Sequence, residues 1–379
     1  MIPIKEPSHK RVFSLIRAQR KASGAMLAKQ TMMQPSSLVY ILNSLKDKGL
    51  ICVSGHGDST ARGGKRPVLW EVNSNYGNIL GLEVMRHGIR AVLVNLAGEI
   101  ILKAEKDFTP DKPEKIVARI VQIIDEMIGE SGISRNKLLY ISLAVPGIVD
   151  PYSQKIVYSY GLKLKNFDLK TRITEAFDIP AGIINDANAG VIGDQWFTSG
   201  SLANSNSLYI AYNPLAGGIG LGIIINKKLY TGSNGLAGEF SLRITALKDI
   251  IEEKLKTADP ARTSIPNPDK PGSIQLSDLY TYANNQCELS KAVLTQVCQL
   301  LAKEISKLIG LFDPDKISIG GDLSICEQMC CSEIHKHLKT ILQNDYPFEM
   351  TMPKIDYVRS KVFAVAIGAT ALYLTNLSN

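Results

Sequence analysis

Arg62-Gly63-Gly64-Lys65-Arg66 places three cations and no acid within five residues. Ammonium and guanidinium groups on a glycine turn suit the oxygens of phosphates. A second chemical group stands upstream. Gln34, Ser36, Ser37, Tyr40 and Asn43 gather on one side of a helical stretch. Their amide and hydroxyl groups can donate to, and accept from, base edges in a major groove. Farther along, Asn185-Asp186 follows the apolar run Ala181–Ile184 and precedes Ala187-Asn188-Ala189. An aspartate so placed opens a helix, because its carboxylate accepts from the unpaired N–H groups of the first turn. Six cysteines, at 52, 287, 298, 326, 330 and 331, match no zinc or disulfide frame. They read as buried free thiols in a reducing compartment, with Cys326, Cys330 and Cys331 able to approach one another on a helix.

Periodicity sets the elements that hold these residues. A helix is predicted over Lys10–Arg20, with Val12, Phe13 and Ile16 on one face. Ser23 is placed to cap a helix through Gln30, with Leu27 and Ala28 inward. Pro35 opens a third helix, where its missing N–H has no helical partner anyway. Leu38, Ile41, Leu42 and Leu45 form its apolar stripe, the polar set with Ser44 takes the other face, and Gly49 ends it. Leu50–Val53 and Val68–Val72 are strand-like and flank the basic loop. Helix, helix, turn, helix, wing is the order of a winged helix-turn-helix, whose second helix of the pair enters the major groove. The helices alone also suit a small bundle between proteins; the wing and the charge favour DNA. Met1–Val72 holds twelve Lys and Arg against four Asp and Glu, a net of +8, while the whole chain is +7, which leaves the other 307 residues at −1. A basic head on a nearly neutral body marks the head as the part that meets a polyanion.

From Asn78 the pattern changes. Strands are predicted at Ile79–Val84, Ile89–Asn95 and Glu99–Ala104, then a helix at Pro113–Gly129 and a strand at Leu138–Ala144. Pro146-Gly147 breaks that strand. A helix at Leu169–Ala176, the strand Ala181–Ile184 and a helix at Ala187–Phe197 follow. The pattern restarts with Leu208–Tyr212, Gly220–Ile225 and Lys228–Tyr230. Helices at Lys291–Phe312 and Ser324–Leu342 then surround the strand Lys316–Ile319, and Val362–Leu374 is the last helix. Ile244–Leu276, with prolines crowding its second half, reads as a loop or an insertion. Two similar halves indicate a duplicated α/β fold, with a head at 1–73, lobes at 78–198 and 199–379, and a ligand expected in the cleft between the halves.

At 379 residues, with 45% hydrophobic and 21% charged residues, the chain can bury a sizeable core. No apolar leader follows Met1. The longest apolar run, Val362–Leu374, is well short of the roughly 20 residues of a bilayer crossing. A cytoplasmic protein without a membrane partner is expected.

Five motifs in order resemble the ROK family of repressors and sugar kinases. They are Val145-Pro146-Gly147-Ile148-Val149-Asp150, Ile184-Asn185-Asp186-Ala187-Asn188-Ala189, Gly218-Ile219-Gly220-Leu221-Gly222, Ala237-Gly238-Glu239 and Ile319-Gly320-Gly321. The resemblance spans nearly the whole chain. The winged head brings the chain nearer the xylose-repressor-type members than the kinases. It implies a winged helix-turn-helix followed by a duplicated actin-like, sugar-kinase-type ATPase fold. It also implies a regulator rather than an enzyme, a homodimer or higher homo-oligomer on a palindromic double-stranded DNA operator. Gln34, Ser36, Ser37, Tyr40, Asn43, Arg62, Lys65 and Arg66 would contact that DNA. In family kinases an aspartate matching Asp186 is the general base that takes the sugar hydroxyl's proton as oxygen attacks phosphorus. The preceding asparagine, here Asn185, and a glutamate matching Glu239 contact sugar. In a regulator these three and Gly147 would bind a sugar or sugar-derivative effector, with Asp186 a vestigial base.

Departures from the family pattern shape the expected function. Family kinases carry Asp-x-Gly-Gly-Thr at the first phosphate loop, where this chain has Glu83-Val84-Met85-Arg86-His87. Met and Arg side chains crowd an approach that glycines would leave open. Leu242 stands at the place of a zinc-binding histidine, and no cysteine occurs between Glu239 and Cys287, so neither a metal site nor a cofactor is expected. Gly161 replaces an asparagine that contacts sugar in many members. A sugar-responsive repressor is the reading that follows. The alternatives are a working sugar kinase with an appended head and a ligand-blind dimer.

Overall fold

Helix α1 (Pro7–Gln19) begins ahead of the predicted Lys10, because the fixed φ of Pro7 is already helical. Val12, Phe13 and Ile16 are fully buried beneath it. The computed structural model describes residues 4–58, 66–108, 112–199, 206–215, 217–239, 243–257, 265 and 268–376. Strand β1 (Ala22–Ser23) is too short to announce itself by alternation. Its Ser23 also caps α2 (Gly24–Thr31), accepting from Met26 N–H at 3.2 Å. Leu27 is buried as expected, while Ala28 is only half-buried. Helix α3 (Pro35–Asp47) buries Leu38, Ile41, Leu42 and Leu45. The chain leaves it through Gly49, at φ +73, into β2 (Ile51–His56) and β3 (Val68–Val72). The three strands pair in the order β1-β3-β2, the sheet of a wing.

Two compact units make up the chain. The first comprises 1–185, 195–201 and 366–379; the second comprises 186–194 and 202–365. They differ from the predicted lobes at 78–198 and 199–379, since the head, a short stretch after 194 and the C-terminal residues all belong to the first unit.

In the first unit β4 (Asn78–Val84), β5 (Gly88–Asn95) and β6 (Ile100–Asp107) form an antiparallel meander. After α4 (Pro113–Ser131), β7 (Leu138–Val145) returns parallel to β4. Three short strands follow, β8 (Ile148–Val149), β9 (Ile156–Ser159) and β10 (Leu164–Phe167), in a sheet of their own. No element was predicted there, because strands of two to four residues carry no readable period. Helix α5 (Leu169–Phe177) leads to β11 (Ala181–Asn185), giving the order β11-β7-β4-β5-β6. Ile116, Ile120 and Ile124 of α4 and Ile173 of α5 pack on Leu80, Leu82 and Ile141. Helix α6 (Asp186–Ser199) follows β11 directly.

In the second unit β12 (Ser207–Tyr212), β13 (Ile219–Ile225) and β14 (Lys228–Leu229) repeat the meander. Helix α7 (Leu247–Thr257) overturns the loop expected across Ile244–Leu276. Its Leu247, Ile250 and Ile251 are buried at helical spacing, and the prolines begin only beyond it. Helices α8 (Leu276–Asn284) and α9 (Glu288–Phe312) precede β15 (Lys316–Gly321). A short 3-10 turn, then α10 (Glu327–Asp345) and β16 (Lys354–Tyr357), complete the sheet order β14-β13-β12-β15-β16. That order matches the first sheet strand for strand, which is the duplication read from the sequence. Lys316 of β15 donates to the Asp194 carboxylate of α6 at 2.6 Å, and Ser318 does so at 2.6 Å, all three buried.

The last helix, α11 (Ala364–Asn376), packs on β4. A Cβ at Gly81 would stand 2.2 Å from Ala366 O, so only glycine allows this approach. Among the described residues no helix is long and apolar enough to cross a membrane.

Candidate effector site and nucleic-acid interface

Gln34, Ser36, Ser37, Tyr40 and Asn43 are all exposed along the start and outer face of α3. The Tyr40 ring meets His9 edge-on at 6.1 Å, which braces it against α1. Val39 and Met32 are exposed beside this set, and the polar reading passed over them. Arg66 is exposed at the foot of the wing; Arg62 and Lys65 lie outside the described residues. One cation of the head faces elsewhere. Arg17 is buried, donates to Leu374 O at 2.9 Å and lies 4.3 Å from the centre of the Trp196 ring. Burial lowers its pKa to about 9. Counting charges could not separate this buried guanidinium from those that face solvent.

Two pairs emerge from the four expected ligand residues. In the first unit Asn185 ends β11 and is buried, and its Nδ2 donates to Gly147 O at 3.0 Å. Gly147 has φ +105, and a Cβ there would meet Tyr158 O at 2.4 Å. In the second unit β13 supports Asp186 and Glu239 together. A Cβ on Gly222 would lie 2.1 Å from Ala187 O, so the first turn of α6 rests on this strand. Gly238, at φ +88, would carry a Cβ 2.1 Å from Leu221 O, which seats the Glu239 turn on the same strand. The glycines of β13 and its neighbour thus serve close packing.

This seating changes the acidity of both groups. Burial pushes the Asp186 carboxyl up to about 7; Ala187 N–H, donating to its Oδ1 at 2.8 Å, opposes the rise, and the Glu239 charge adds to it. Glu239 keeps an exposed edge, yet desolvation of its carboxyl raises its pKa as well. A carboxyl that titrates near neutrality can accept a hydrogen bond from a hydroxyl or give up its own proton.

The remaining motifs have structural partners. A Cβ on Gly320 would stand 2.1 Å from the Tyr209 ring, one on Gly190 would stand 2.4 Å away, and Gly321 N–H donates to the Tyr209 hydroxyl at 3.1 Å. Tyr209 fills the hollow these glycines make, and nothing in its sequence neighbourhood announced it. Glu83 is buried in β4, with Arg90 of β5 at 3.6 Å; Arg90 also meets Glu105 of β6 at 2.8 Å. The β4–β5 turn, closed by Met85 N–H on Gly88 O at 2.8 Å, exposes Arg86 and His87. Leu242 lies outside the described residues. Five of the six cysteines are buried and Cys52 is half-buried.

The ROK family profile matches residues 79–241 and 246–376, which leaves the head outside it. The xylose repressor of Caldicellulosiruptor bescii is 24% identical over 380 residues, covering 94% of this chain and 92% of the relative. A ROK family transcriptional regulator, a homologue of the E. coli MLC protein, superposes with a TM-score of 0.73 at 20% identity, over 97% of this chain and 96% of its own. A ROK family glucokinase from Streptomyces griseus superposes with a TM-score of 0.69 at 20% identity, over 78% of this chain and 99% of its own. The body therefore has the actin-like α/β fold of sugar kinases, and this chain belongs to the ROK family.

Proposed function

We propose that this protein is a sugar-responsive transcriptional repressor. The observation that carries the reading is a winged head with an exposed polar recognition helix, joined to a ROK body. A relative that matches nearly end to end is named a xylose repressor. The head binds a palindromic operator as a dimer, through Gln34, Ser36, Ser37, Tyr40 and Asn43 on bases and Arg62, Lys65 and Arg66 on phosphates or the minor groove. Asn185 with Gly147, and Asp186 with Glu239, are each assigned as effector contacts. Only an effector with different affinities for the operator-bound and released states shifts the balance between them.

Catalysis is not part of this proposal. Met85, Arg86 and His87 occupy the turn where family kinases place glycines, and Gly321 N–H is already engaged by Tyr209. The zinc loop is missing its histidine and cysteines at the level of sequence. One observation favours sugar phosphorylation as a second reading: a carboxyl with a pKa near 7 is well matched to general-base work.

Selection from random duplexes with the full chain tests the proposal. A two-fold symmetric site should be enriched, and one sugar of a neutral and charged panel should weaken binding to it. Arg62→Ala with Lys65→Ala should weaken binding across all sequences and flatten its salt dependence. Failure to enrich any site, together with ATP consumption in the presence of a sugar, overturns the repressor and establishes the kinase.

A further inference from the structure

The β4–β5 turn and the β9–β10 hairpin of the first unit enclose a concave site of about 290 Å³. Arg86, Tyr158, Tyr160, Gly161, Lys163 and Lys165 line it. The β-ladder explains how they converge. Lys165 pairs with Tyr158 and Leu164 with Ser159. Alternation therefore turns Leu164 and Ser159 inward, where they are buried, and Tyr158 and Lys165 outward together. The turn between the strands is fixed by Lys163 N–H on Tyr160 O at 3.3 Å and by Leu162 N–H on Ser159 Oγ at 3.3 Å. Gly161 stands at the tip, where a Cβ would come 3.6 Å from Pro146 Cγ.

Charge in this hollow is not neutralised from within. The acids nearest in sequence are engaged elsewhere: Glu83 with Arg90 at 3.6 Å, and Asp168 with Lys155 at 3.3 Å. Among the described residues no ion pair involves Arg86, Lys163 or Lys165. Three cations around a small concavity raise the local concentration of anions. Two phenol rings offer flat apolar faces with a hydroxyl at the rim. The volume lies just below the ~300–1,000 Å³ range of small-molecule sites, which suits a ligand the size of a monosaccharide.

We propose that this site takes a sugar bearing an anionic group, phosphate or carboxylate, with the anion held by Arg86, Lys163 and Lys165 and the sugar ring set against Tyr158 and Tyr160. This rests on the sugar-responsive reading above, one of whose effector contacts, Gly147, packs against Tyr158 O, and it names the chemical class of that effector.

Calorimetric titration of the full-length protein tests it, with glucose, xylose, their terminal phosphates, glucuronate, inorganic phosphate and ATP as probes. A charged sugar should bind at least about tenfold more tightly than its neutral parent and than inorganic phosphate. Phosphate and uronate arms identify which anion is preferred. High salt should reduce the advantage. Arg86→Gln and Lys163→Gln should each remove most of it, and Arg86→Lys should restore part of it; melting of each variant without ligand checks its folding. Neutral sugars binding as tightly as charged ones overturn this inference and leave the sugar-responsive reading standing. Absence of binding by every sugar overturns both. Tighter binding of ATP than of any sugar assigns the cations to a nucleotide and overturns the inference. Loss of operator affinity in the ligand-free variants assigns them to DNA and does the same.

Discussion

Asp186 shows how one side chain can hold two positions at once, opening a helix and presenting a carboxyl. Its native pKa of about 7 lies above the ordinary 3.8, so the folded chain binds this proton more tightly than the unfolded chain does. Stability from this group is then greatest below about 3.8, falls as the pH climbs, and reaches its full loss above about 7. Asp186→Asn removes the penalty. Between about pH 4 and pH 8 the variant should gain on the parent by up to about 4 kcal/mol, the ceiling for a shift of this size. Parallel curves of melting temperature against pH would remove the carboxyl from this account. The same variant should lose the sugar response, because an amide NH₂ replaces one of the two acceptor oxygens. Asn185 and Asp186 were legible before any fold was known, since an apolar strand that ends in Asn-Asp and runs on into Ala-Asn-Ala marks a strand-to-helix junction. Lys163 and Lys165 were not. Their convergence with Arg86 depends on a hairpin whose strands are too short to read and on a turn some 80 residues away in sequence.

Elements with a long, regular apolar period were legible, and elements stabilised by their surroundings were not. Helix α3 begins and ends where its proline and glycine demand, and β4, β5 and β7 lie within a residue or so of expectation. Helix α7 is masked in the sequence by the prolines that follow it, although Leu247, Ile250 and Ile251 hold a helical spacing. The β8–β9–β10 sheet is legible only once Gly147 is seen pressed against Tyr158 O. Asp194 ties two distant elements together. It sits in α6, more than a hundred residues from Lys316, and joins that helix to β15. Asp194→Ala leaves a buried ammonium without its counter-charge, which should cost about 3–5 kcal/mol in urea unfolding. Replacing Asp194 and Lys316 together by Leu and Met should recover much of that loss, since a buried ion pair is weakly stabilising against an apolar pair of similar volume.

At the scale of the molecule, the head is not hung on a loose tether. Within the first unit, Arg17 of α1 is clasped between Leu374 O of α11 and the Trp196 ring of α6. Arg17→Ala removes a charged hydrogen bond and a stack, and should cost about 2–3 kcal/mol. Calorimetry should then resolve an early transition from the head; a single unshifted transition would show that the clasp contributes nothing. A consequence lies in the helix that Trp196 belongs to. Asp186 is the first residue of that helix, and ten residues, about 15 Å of stiff rod, separate the carboxyl from the indole. Trp196 is therefore held by helical backbone that its own turn does not have to fix, and its indole offers Arg17 a preset face.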